Sequence, residues 1–434
     1  MTDDPLAYLF ALDQFGIKFG LENIRSILNA LGHPERAFRS VHVAGTNGKG
    51  SVTAMVDVAL RAAGHRTARY TSPHLVSLSE RFVIDGRPVN QPELGSAVAD
   101  IRALIDRLRA DGRLLVQPTF FEVTTAVAFE LFRRASVEVA VCEVGLGGRL
   151  DATNVLAPVA TAITSIARDH QQYLGQTLRE IAREKAGIVK PGVPVVVGPM
   201  DAEARAEIEH IAKERDAPIV HAAPPAVASP VSQTVSGLPG TRIHLRTSVR
   251  DYGNITLGLL GEHQATNAGV AVRLLEALDE RGIAVPRAAI VEGLTRVAWP
   301  GRLDLRRLAD GREVLLDAAH NPDGSESLAR FLRASTWRRP PIVFAAMRDK
   351  DIPAMLEPLA AVCGAFVFTR ASASRSADPD ELGGCLSRIA PALPYRIEPR
   401  PADALSAAWR IAPRIVAAGS IFLLGDVLKE LGEA

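Results

Sequence analysis

The residues best suited to chemistry form a glycine-rich run near the N-terminus, Gly45-Thr46-Asn47-Gly48-Lys49-Gly50-Ser51. Glycines let backbone N–H groups surround phosphate oxygens, and a helix that begins directly afterwards favours an anion at its N-terminus. Lys49 adds a positive charge, and Ser51 offers a hydroxyl to phosphate or Mg²⁺. The run departs from the general Walker pattern, whose first glycine would fall on Val43. It predicts a phosphate-binding loop, with an ordinary strand-to-helix turn as the alternative.

Two further polar side chains follow apolar runs that are typical of buried strands. Glu143 closes the run Val139-Ala140-Val141-Cys142, and His170 follows a strand pattern at Val159–Ile166. Ligands of open parallel sheets bind at the carboxyl ends of the strands, where a carboxylate could hold Mg²⁺ through oxygen. A solvated acid and a structural histidine are the simpler interpretations when each residue is taken alone.

Lys185 is predicted to point inward from a helix. Thr177 and Glu180 form a capping-box pattern that starts this helix. Lys185 lies three and four residues from Ala182 and Ile181, on the apolar face. A buried lysine is costly unless it is partnered or chemically altered, and partial burial favours loss of its proton. A side chain that snorkels past the helix edge to water is the alternative.

The elements that must position these residues alternate between strands and helices. A short strand at Val41–Ala44 precedes the glycine-rich run and a helix follows it; further strands are predicted at Val137–Val144, Val159–Ile166 and Pro194–Val197. This order predicts a mostly parallel sheet covered by helices on both faces. Short β-like runs at Thr241–Arg246 and Asn254–Leu260 predict a small antiparallel addition.

A second α/β unit is predicted after Trp299-Pro300-Gly301, because proline and glycine interrupt both helices and strands. Its strands are predicted at Val314–Leu316, Ile342–Phe344, Phe366–Phe368 and Ile421–Leu424. Asp317 ends the first of them, where a carboxylate could accept hydrogen bonds from ribose hydroxyls. The predicted fold class is therefore α/β: a P-loop-type ATPase domain over residues 1–297 and a smaller Rossmann-like domain over residues 298–434, with a ligand cleft between them.

Composition excludes several classes of function. Hydrophobic residues make up 47% of the 434 residues, so the chain can bury ample core. The 50 lysines and arginines nearly cancel the 49 aspartates and glutamates, so no global positive field is available for nucleic acid or an anionic membrane. Three cysteines without metal-type spacing, an acidic N-terminus and no long apolar run predict a soluble, cytoplasmic protein. Nothing marks an oligomer surface, so a monomer is the default expectation.

The phosphate-loop segment resembles that of the dihydrofolate synthase/folylpolyglutamate synthase family, the folate branch of the Mur ligases. The likeness continues in the same order through both predicted units. It is carried by His42–Ser51, Tyr70–Leu75, Pro118–Glu122, Glu143–Asn154, Asp169-His170, Glu184–Ile188, Gly261–Gln264, Trp299–Arg302 and Asp317–Pro322. Many motifs in the order of one family make a chance resemblance very improbable.

The resemblance implies roles for residues that carry little information alone. It implies nucleotide binding by the run Gly45–Ser51 and by Asn267, Arg302, Asp317 and His320, the last of them near the start of a predicted helix. It implies Mg²⁺ binding, at about two sites, by Ser51, Ser72, Glu143 and His170, with a monovalent cation as a further candidate. Histidine is an unusual ligand for Mg²⁺. It also implies a carbamate on Lys185, and it places Lys49, Lys185 and His320 among the catalytic residues.

The implied substrates are ATP, L-glutamate and dihydropteroate or a reduced folate. Residues that match the pterin site of family members are Thr119, Phe121, Asp151 and Ala152. An aromatic face can stack on a flat heterocycle, and a carboxylate can accept its N–H groups, although Phe121 alone would be interpreted as core. The implied reaction passes through an acyl phosphate, which glutamate then attacks.

Three alternatives stay open at this point. The enzyme could extend polyglutamate tails without making dihydrofolate, although Phe121 together with the run Gly148–Ala152 resembles the bifunctional type. It could be a peptidoglycan-type Mur ligase, against which the segments Thr119–Glu122 and Glu143–Asn154 argue. A nucleotide-binding module that makes no bond is the third; its ATP turnover would require a macromolecular partner.

Overall fold

The computed structural model describes residues 4–12, 16, 20–227 and 234–432. Its first eight strands are β1 Arg39–Ala44, β2 Thr67–Tyr70, β3 Phe82–Ile84, β4 Arg87–Pro88, β5 Val139–Glu143, β6 Ala160–Ile163, β7 Val195–Val197 and β8 Ile219–His221. They form one sheet in the order β4-β3-β2-β5-β1-β6-β7-β8. All neighbouring pairs are parallel except β2–β3 and β3–β4. The sheet is therefore mostly parallel, with an antiparallel edge.

Helices cover both faces of this sheet. They are α1 Pro5–Ala11, α2 Glu22–Ala30, α3 Lys49–Ala62, α4 Gln91–Ala110, α5 Phe120–Arg134, α6 Gln171–Leu174, α7 Leu178–Lys185, α8 Ala202–Glu214, α9 Glu262–Glu280 and α10 Arg287–Arg296. Strand β5 shows why two layers are needed, because its side chains alternate between the faces. Val139 and Val141 belong to the core beneath α3, α9 and α10, whereas Ala140 and Cys142 belong to the core beneath α2, α4 and α5.

An antiparallel addition follows the first sheet. One part is a three-stranded antiparallel sheet of β9 Ala226–Val227, β12 Arg242–Arg246 and β13 Asp251–Thr256. The other is a hairpin in which β10 Thr234–Val235 pairs with β11 Leu238–Pro239. Leu238 of this hairpin is fully buried in the hydrophobic core of the second sheet. The predicted antiparallel addition is confirmed, and its hairpin packs against the second unit.

The second sheet contains β14 Asp304–Arg307, β15 Glu313–Asp317, β16 Pro341–Phe344, β17 Ala365–Phe368, β18 Tyr395–Ile397 and β19 Arg414–Ala418. Its order is β14-β15-β19-β16-β17-β18, and only the β14–β15 pair is antiparallel among these described strands. The accompanying helices are α11 Pro322–Ala334, α12 Ile352–Ala360, α13 Pro379–Ile389, α14 Pro401–Trp409 and α15 Ile421–Glu430. The α/β fold class with two sheets is confirmed.

The strand predicted at Ile421–Leu424 is wrong, because these residues begin helix α15. Ser420 caps the helix by accepting a hydrogen bond from the Phe422 N–H. The buried side chains of α15 recur with helical spacing, at Leu423, Leu424, Val427 and Leu428. A four-residue apolar run does not distinguish a strand from a buried helix turn, and the strand of this region is β19, just before Gly419.

The segment Trp299-Pro300-Gly301 lies between α10 and β14. The boundary predicted at residues 297 and 298 falls in the same connection and stays a prediction. Within the ranges that the structure describes, no helix is both long and apolar enough to cross a membrane.

Candidate active site

Strands from both sheets end at one crevice. Strand β1 ends at Ala44, β5 at Glu143 and β15 at Asp317. Arg302 directly follows Trp299-Pro300-Gly301, which we call the interunit segment. Its guanidinium interacts with both carboxylates: burial lowers the pKa of Arg302, while Asp317 and Glu143 both raise it. The candidate residues of the first unit and those of the second unit therefore meet in one place, as the carboxyl-end rule predicts.

The glycine-rich run turns tightly from β1 into α3. Gly45 and Gly48 have φ angles of 147° and 86°, where side chains are strained. A Cβ at Gly45 would lie 1.9 Å from the Thr164 Oγ1, and one at Gly48 would lie 2.3 Å from the Asn267 Oδ1. The Lys49 amine donates to two carbonyl oxygens of the loop, at 3.1 and 3.2 Å. The run thus forms a backbone cradle covered by its own lysine.

Two residues of this loop are anchored in different units. The Thr46 N–H donates to the Ser165 carbonyl oxygen at 2.7 Å, beside β6. The Asn47 amide donates to the Asp323 carboxylate at 2.7 Å and exchanges hydrogen bonds with Asn321, so it contacts the first turn of α11. The loop therefore touches the second unit directly.

Gln264, which the sequence placed in a family motif without a role of its own, joins two predicted site residues. The Gln264 amide donates to the Ser51 Oγ at 3.3 Å and accepts from the Asn267 amide at 2.9 Å. A Cβ at Gly50 would lie 2.9 Å from the indole of Trp299, which packs on the start of α3. Asn267 of α9, through Gln264, and Trp299 are thereby held against the first turn of α3.

Lys185 lies behind the phosphate loop, at the end of α7. The capping box of Thr177 and Glu180 is present, and it starts the helix as predicted. The Lys185 side chain is 5% exposed, and its amine donates to the Gly45 carbonyl oxygen at 2.9 Å. Burial, together with the nearby Lys49, lowers the pKa of Lys185 to about 7. The inward orientation is therefore confirmed and snorkelling is excluded, and a sizeable neutral fraction exists at neutral pH.

Two of the candidate magnesium ligands, Glu143 and Ser72, lie side by side. Burial raises the pKa of this carboxyl group, while Lys49 and Arg302 lower it. The Ser72 N–H approaches the Glu143 Oε2 at 3.4 Å, and the Lys49 amine lies 3.9 Å from the Oε1. Across the described ranges, no three His, Cys, Asp or Glu residues cluster as a metal site. Serine hydroxyls and phosphate oxygens would have to complete the ligands around Glu143, which suits an oxygen-seeking cation.

A polar contact between the units, formed by Asp169, His320, Asn321 and Lys350, closes one side of the crevice. The Lys350 amine lies 2.5 Å from the Asp169 Oδ1, and the Asn321 amide donates to the Oδ2 at 3.3 Å. The His320 Nε2 lies 3.5 Å from the same Oδ2. We call these four residues the interunit contact. Burial raises the pKa of Asp169, but its neighbours His320, His170 and Lys350 outweigh burial and hold it well below its usual range.

His170 adjoins this contact. It has a left-handed backbone, with φ of 49°, and its Nε2 lies 3.9 Å from the Asp169 Oδ1. Burial lowers the pKa of His170 to about 4, so the ring is neutral at neutral pH. A neutral imidazole can serve as a ligand through either nitrogen that lacks a proton.

The predicted pterin residues lie at the start of α5 and in the loop after β5. Thr119 caps α5 and forms a capping box with Glu122, which gives the Glu122 carboxylate a structural role. The ring of Phe121 stacks on that of Tyr70, with centroids 6.0 Å apart. A Cβ at Gly145 would lie 2.4 Å from the Cζ of Phe121, so the loop passes against the outer end of this ring.

Asp151 organises the same loop. Its Oδ2 accepts from the Leu146 N–H at 2.9 Å, and its Oδ1 accepts from both the N–H and the hydroxyl of Thr153. The carboxylate caps a short 3₁₀ helix, Ala152–Val155, in which Ala152 is buried. Asp151 is therefore buried and largely satisfied by the protein itself, a structural function that the motif did not reveal.

The second unit contributes polar groups held by backbone contacts. Asp317 accepts from the Leu303 N–H at 2.9 Å and from the Ala319 N–H at 3.0 Å. The His320 Nδ1 lies 2.8 Å from the Ala318 carbonyl oxygen, which can only accept, so this nitrogen carries a proton. The Nε2 of His320 is thereby directed at the crevice. Lys350 is a participant that the sequence did not indicate, since a lysine in an MRDKD loop has no distinguishing pattern.

Two pockets open near these residues. One, of about 110 Å³, lies between the start of α9 and helix α11, and His263, Arg330 and Phe331 are among its lining residues. The other, of about 90 Å³, lies beside the interunit contact, and its lining includes Arg168, His170 and Lys350. Both pockets are formed by residues of the two units together.

The chain matches two families of domain. Residues 114–275 match the Mur ligase middle domain, and residues 301–423 match the Mur ligase glutamate ligase domain. The dihydrofolate synthase/folylpolyglutamate synthase of Bacillus subtilis is 37% identical over 383 residues, which are 86% of this chain and 87% of the relative. That of Mycobacterium tuberculosis is 38% identical over 385 residues, covering 83% of this chain and 76% of the relative.

Solved structures agree over nearly the whole length. Mycobacterium tuberculosis folylpolyglutamate synthase complexed with ADP is 32% identical and superimposes with a TM-score of 0.89, covering 99% of this chain and 100% of that one. E. coli FolC in complex with DHPP and ADP is 28% identical, with a TM-score of 0.82 and coverage of 99% and 98%. The similarity therefore extends through both sheets and the crevice between them.

Proposed function

The chain belongs to the dihydrofolate synthase/folylpolyglutamate synthase family of Mur ligases, and we propose that it uses ATP to join L-glutamate both to dihydropteroate and to reduced folates. It is an ATP-dependent acid–amino-acid ligase. The observation that carries the proposal is the buried, partly neutral Lys185 against the phosphate loop, in a chain that matches these ligases over both units.

The nucleotide binds across the two units in this proposal. Backbone N–H groups of Gly45–Ser51, the Lys49 amine and the N-terminus of α3 neutralise the phosphates. Arg302 adds a positive charge between Glu143 and Asp317. The base is assigned to the pocket beside His263, one helical turn from Asn267, and the ribose to Asp317 and His320.

Magnesium fits the residues around Glu143. A buried carboxylate and the hydroxyls of Ser51 and Ser72 are oxygen donors, which this cation prefers, and the neutral imidazole of His170 is the least typical member of the set. Bound Mg²⁺ would supply positive charge where negative charge develops on the phosphates. A monovalent cation stays a sequence-based expectation.

Lys185 is proposed to react with carbon dioxide. A neutral amine attacks the carbon, forms one C–N bond and releases one proton, which turns the side chain into an anionic carbamate. The reaction requires an unprotonated amine, and a pKa of about 7 provides it. The carbamate would face Lys49, whose charge balances the new anion.

The acid substrate is proposed to lie beside Phe121, with its carboxylate towards the phosphate loop. One carboxylate oxygen attacks the γ-phosphorus of ATP, ADP leaves, and an acyl phosphate forms. The glutamate amine then attacks the acyl carbon and expels phosphate. The protein contributes position and charge, while the interunit contact holds the second unit over a water-sensitive intermediate.

Glutamate is proposed to enter through the pocket beside the interunit contact. The Lys350 side chain is 8% exposed and has donors beyond the one used by Asp169, and Arg168 adds a second positive charge. The N-termini of α11 and α12 also point to this region, since Asn321 and Asp351 cap them. The same lining carries the carboxylates of Asp349 and Asp351, so the glutamate amine would face these acids while its carboxylates would face Lys350, Arg168 and the helix N-termini.

Phosphate release with Mg-ATP and glutamate tests the proposal when 7,8-dihydropteroate and tetrahydrofolate are compared as acids. Turnover with both acids is expected, and omission of glutamate should abolish it. Turnover with tetrahydrofolate alone would identify a polyglutamylating enzyme and would remove Phe121 and Asp151 as evidence for the dihydropteroate site. Turnover with neither acid would overturn the folate assignment, and turnover with a nucleotide-linked muramyl acid would replace it.

A further inference from the structure

A chain of hydrogen bonds runs through the core behind the crevice, from His42 through Thr153 to Asp151. The His42 Nε2 lies 2.8 Å from the Thr153 Oγ1, and this hydroxyl also contacts the Asp151 Oδ1 at very short range. His42 and Thr153 are fully buried, and Asp151 is 6% exposed. The reaction outlined above uses neither His42 nor Thr153.

The chemistry of the three groups fixes the direction of the chain. Both oxygens of Asp151 accept backbone N–H groups, so its Oδ1 is also the acceptor for the Thr153 hydroxyl. A hydroxyl has one proton, so Thr153 can only accept from His42. Burial lowers the pKa of His42 to about 3, which leaves a single N–H on the ring. That proton must therefore be on Nε2.

This tautomer leaves the Nδ1 of His42 without a proton. With the proton on Nε2, the Nδ1 of His42 is a bare acceptor, and it is buried with no hydrogen-bond partner among the described residues. An unsatisfied buried polar atom destabilises the fold. An apolar side chain at position 42 would avoid this cost. The presence of histidine is better explained by the hydrogen bond that its Nε2 donates to Thr153.

The chain connects the two halves of the site. His42 lies on β1, three residues before Gly45 of the phosphate loop. Asp151 holds the loop that passes against Phe121, through its contact with the Leu146 N–H. The covalent path from residue 42 to residue 151 is over a hundred residues long, whereas the hydrogen-bonded path crosses one threonine.

We propose that His42 and Thr153 are positioning residues that hold Asp151, and with it the acid-binding loop, at a fixed place relative to the phosphate loop. The inference rests on the proposed function, because it requires the acid to bind beside Asp151. Attack on the γ-phosphorus demands that the acid carboxylate and the phosphate be aligned, and a displacement of about 1 Å can cost about 100-fold in rate.

Substitutions at Thr153 test the chain. Thr153→Val keeps the shape and removes the hydroxyl; it should raise the KM for dihydropteroate about tenfold and lower kcat, with the KM for ATP changed by less than about twofold. Thr153→Ser retains the hydroxyl and should restore both constants. His42→Gln, whose amide can donate from a similar position, should be less impaired than His42→Leu.

The matched control is Thr67→Val. Thr67 is equally buried, begins β2, and also donates its hydroxyl to a carboxylate, that of Asp57, at 2.7 Å. It should lose comparable stability without the selective rise in the KM for dihydropteroate. An equal rise in that KM in Thr67→Val, or an unchanged KM in Thr153→Val, would overturn the proposal.

A measurement independent of activity separates this inference from the proposed function. Nitrogen-15 NMR of histidine-labelled protein should show a neutral ring with protonated Nε2 and bare Nδ1, in the signal that His42→Gln removes. A proton on Nδ1 would overturn the chain even in an active enzyme. If the wild-type protein uses neither acid but shows this tautomer, the proposed function fails while the hydrogen-bond chain stands.

Discussion

Lys185, behind the phosphate loop, and Asp169, in the interunit contact, are buried to a similar degree, but their pKa values favour opposite charge states. Lys185 is 5% exposed and Asp169 is 8% exposed. Burial lowers the pKa of Lys185 to about 7, towards the neutral form. The pKa of Asp169 is instead held well below its usual range, in the charged form, although burial alone would raise it.

The difference lies in the partners and not in the depth. The Lys185 amine donates to an uncharged carbonyl oxygen and has another lysine nearby. Asp169 has the Lys350 amine at 2.5 Å, together with His320 and Asn321. Inside the first unit, the buried Lys185 can therefore lose its proton. Between the units, Asp169 stays ionised, and its charge connects the first unit to the second.

The largest effect should come from removal of the Lys185 amine. Lys185→Ala is expected to reduce amide formation by about 100-fold or more, because an electrostatic group of the site is lost. A short-chain carboxylic acid added to the assay should restore part of the rate by placing a carboxylate in the vacated space. Steady-state phosphate release measures both effects.

The control for that variant is Lys213→Ala, since Lys213 is exposed on α8. Its turnover should match that of the wild-type protein. Unchanged turnover in Lys185→Ala would remove this lysine from the mechanism and would make its low pKa a by-product of packing.

The interunit contact should show strong coupling between its two charges. Asp169→Asn and Lys350→Met should each lower the free energy of unfolding by about 2 kcal/mol, because each removes the nearest opposite charge from a buried group. The double variant should lose little more than one single variant. A double-mutant cycle from urea unfolding measures this coupling.

The exposed ion pair between Arg370 and Asp378, 2.6 Å apart, provides the reference. Its two side chains are 46% and 43% exposed, so solvent screens the pair and its coupling should be much weaker than that of the interunit contact. Additive losses for Asp169→Asn and Lys350→Met would place the interunit contact in the same class as this surface pair and would remove the contrast drawn above.

The smallest effect, taken over a single pH unit, is a pH dependence of stability. Between the folded pKa of Lys185, about 7, and its ordinary value of 10.5, the unfolded chain holds a proton that the folded chain lacks. Stability should therefore rise with pH from about pH 7, by at most about 1.4 kcal/mol per pH unit, and be lost as pH falls. Chemical unfolding in buffer free of carbon dioxide should show a steeper rise for the wild-type protein than for Lys185→Met. Equal slopes would contradict the shifted pKa.

The sequence predicted the parts of the site that depend on local pattern. The loop Gly45–Ser51, the strand end at Glu143 and the inward face of Lys185 all lie where strand, turn and helix spacing placed them. In each case a single strand, turn or helix determines where the side chain lies, because residues close in sequence are close in space within one element.

The parts that depend on distant contacts were not predictable. Lys350 meets Asp169 across 181 residues, and Gln264 meets Ser51 across 213. The internal use of the Asp151 carboxylate and the hairpin at Leu238 also follow from tertiary packing. The strand prediction at Ile421–Leu424 was wrong for a different reason, because four apolar residues fit both strand and helix periodicity.

The central claim is that Lys185 is a buried amine neutral enough to capture carbon dioxide. Carbon-13 NMR of the protein in ¹³C-labelled bicarbonate tests it directly. The account predicts one protein-bound carbamate carbon signal, absent from Lys185→Ala and retained in Lys213→Ala. A spectrum without that signal, or a signal that persists in Lys185→Ala, would contradict it.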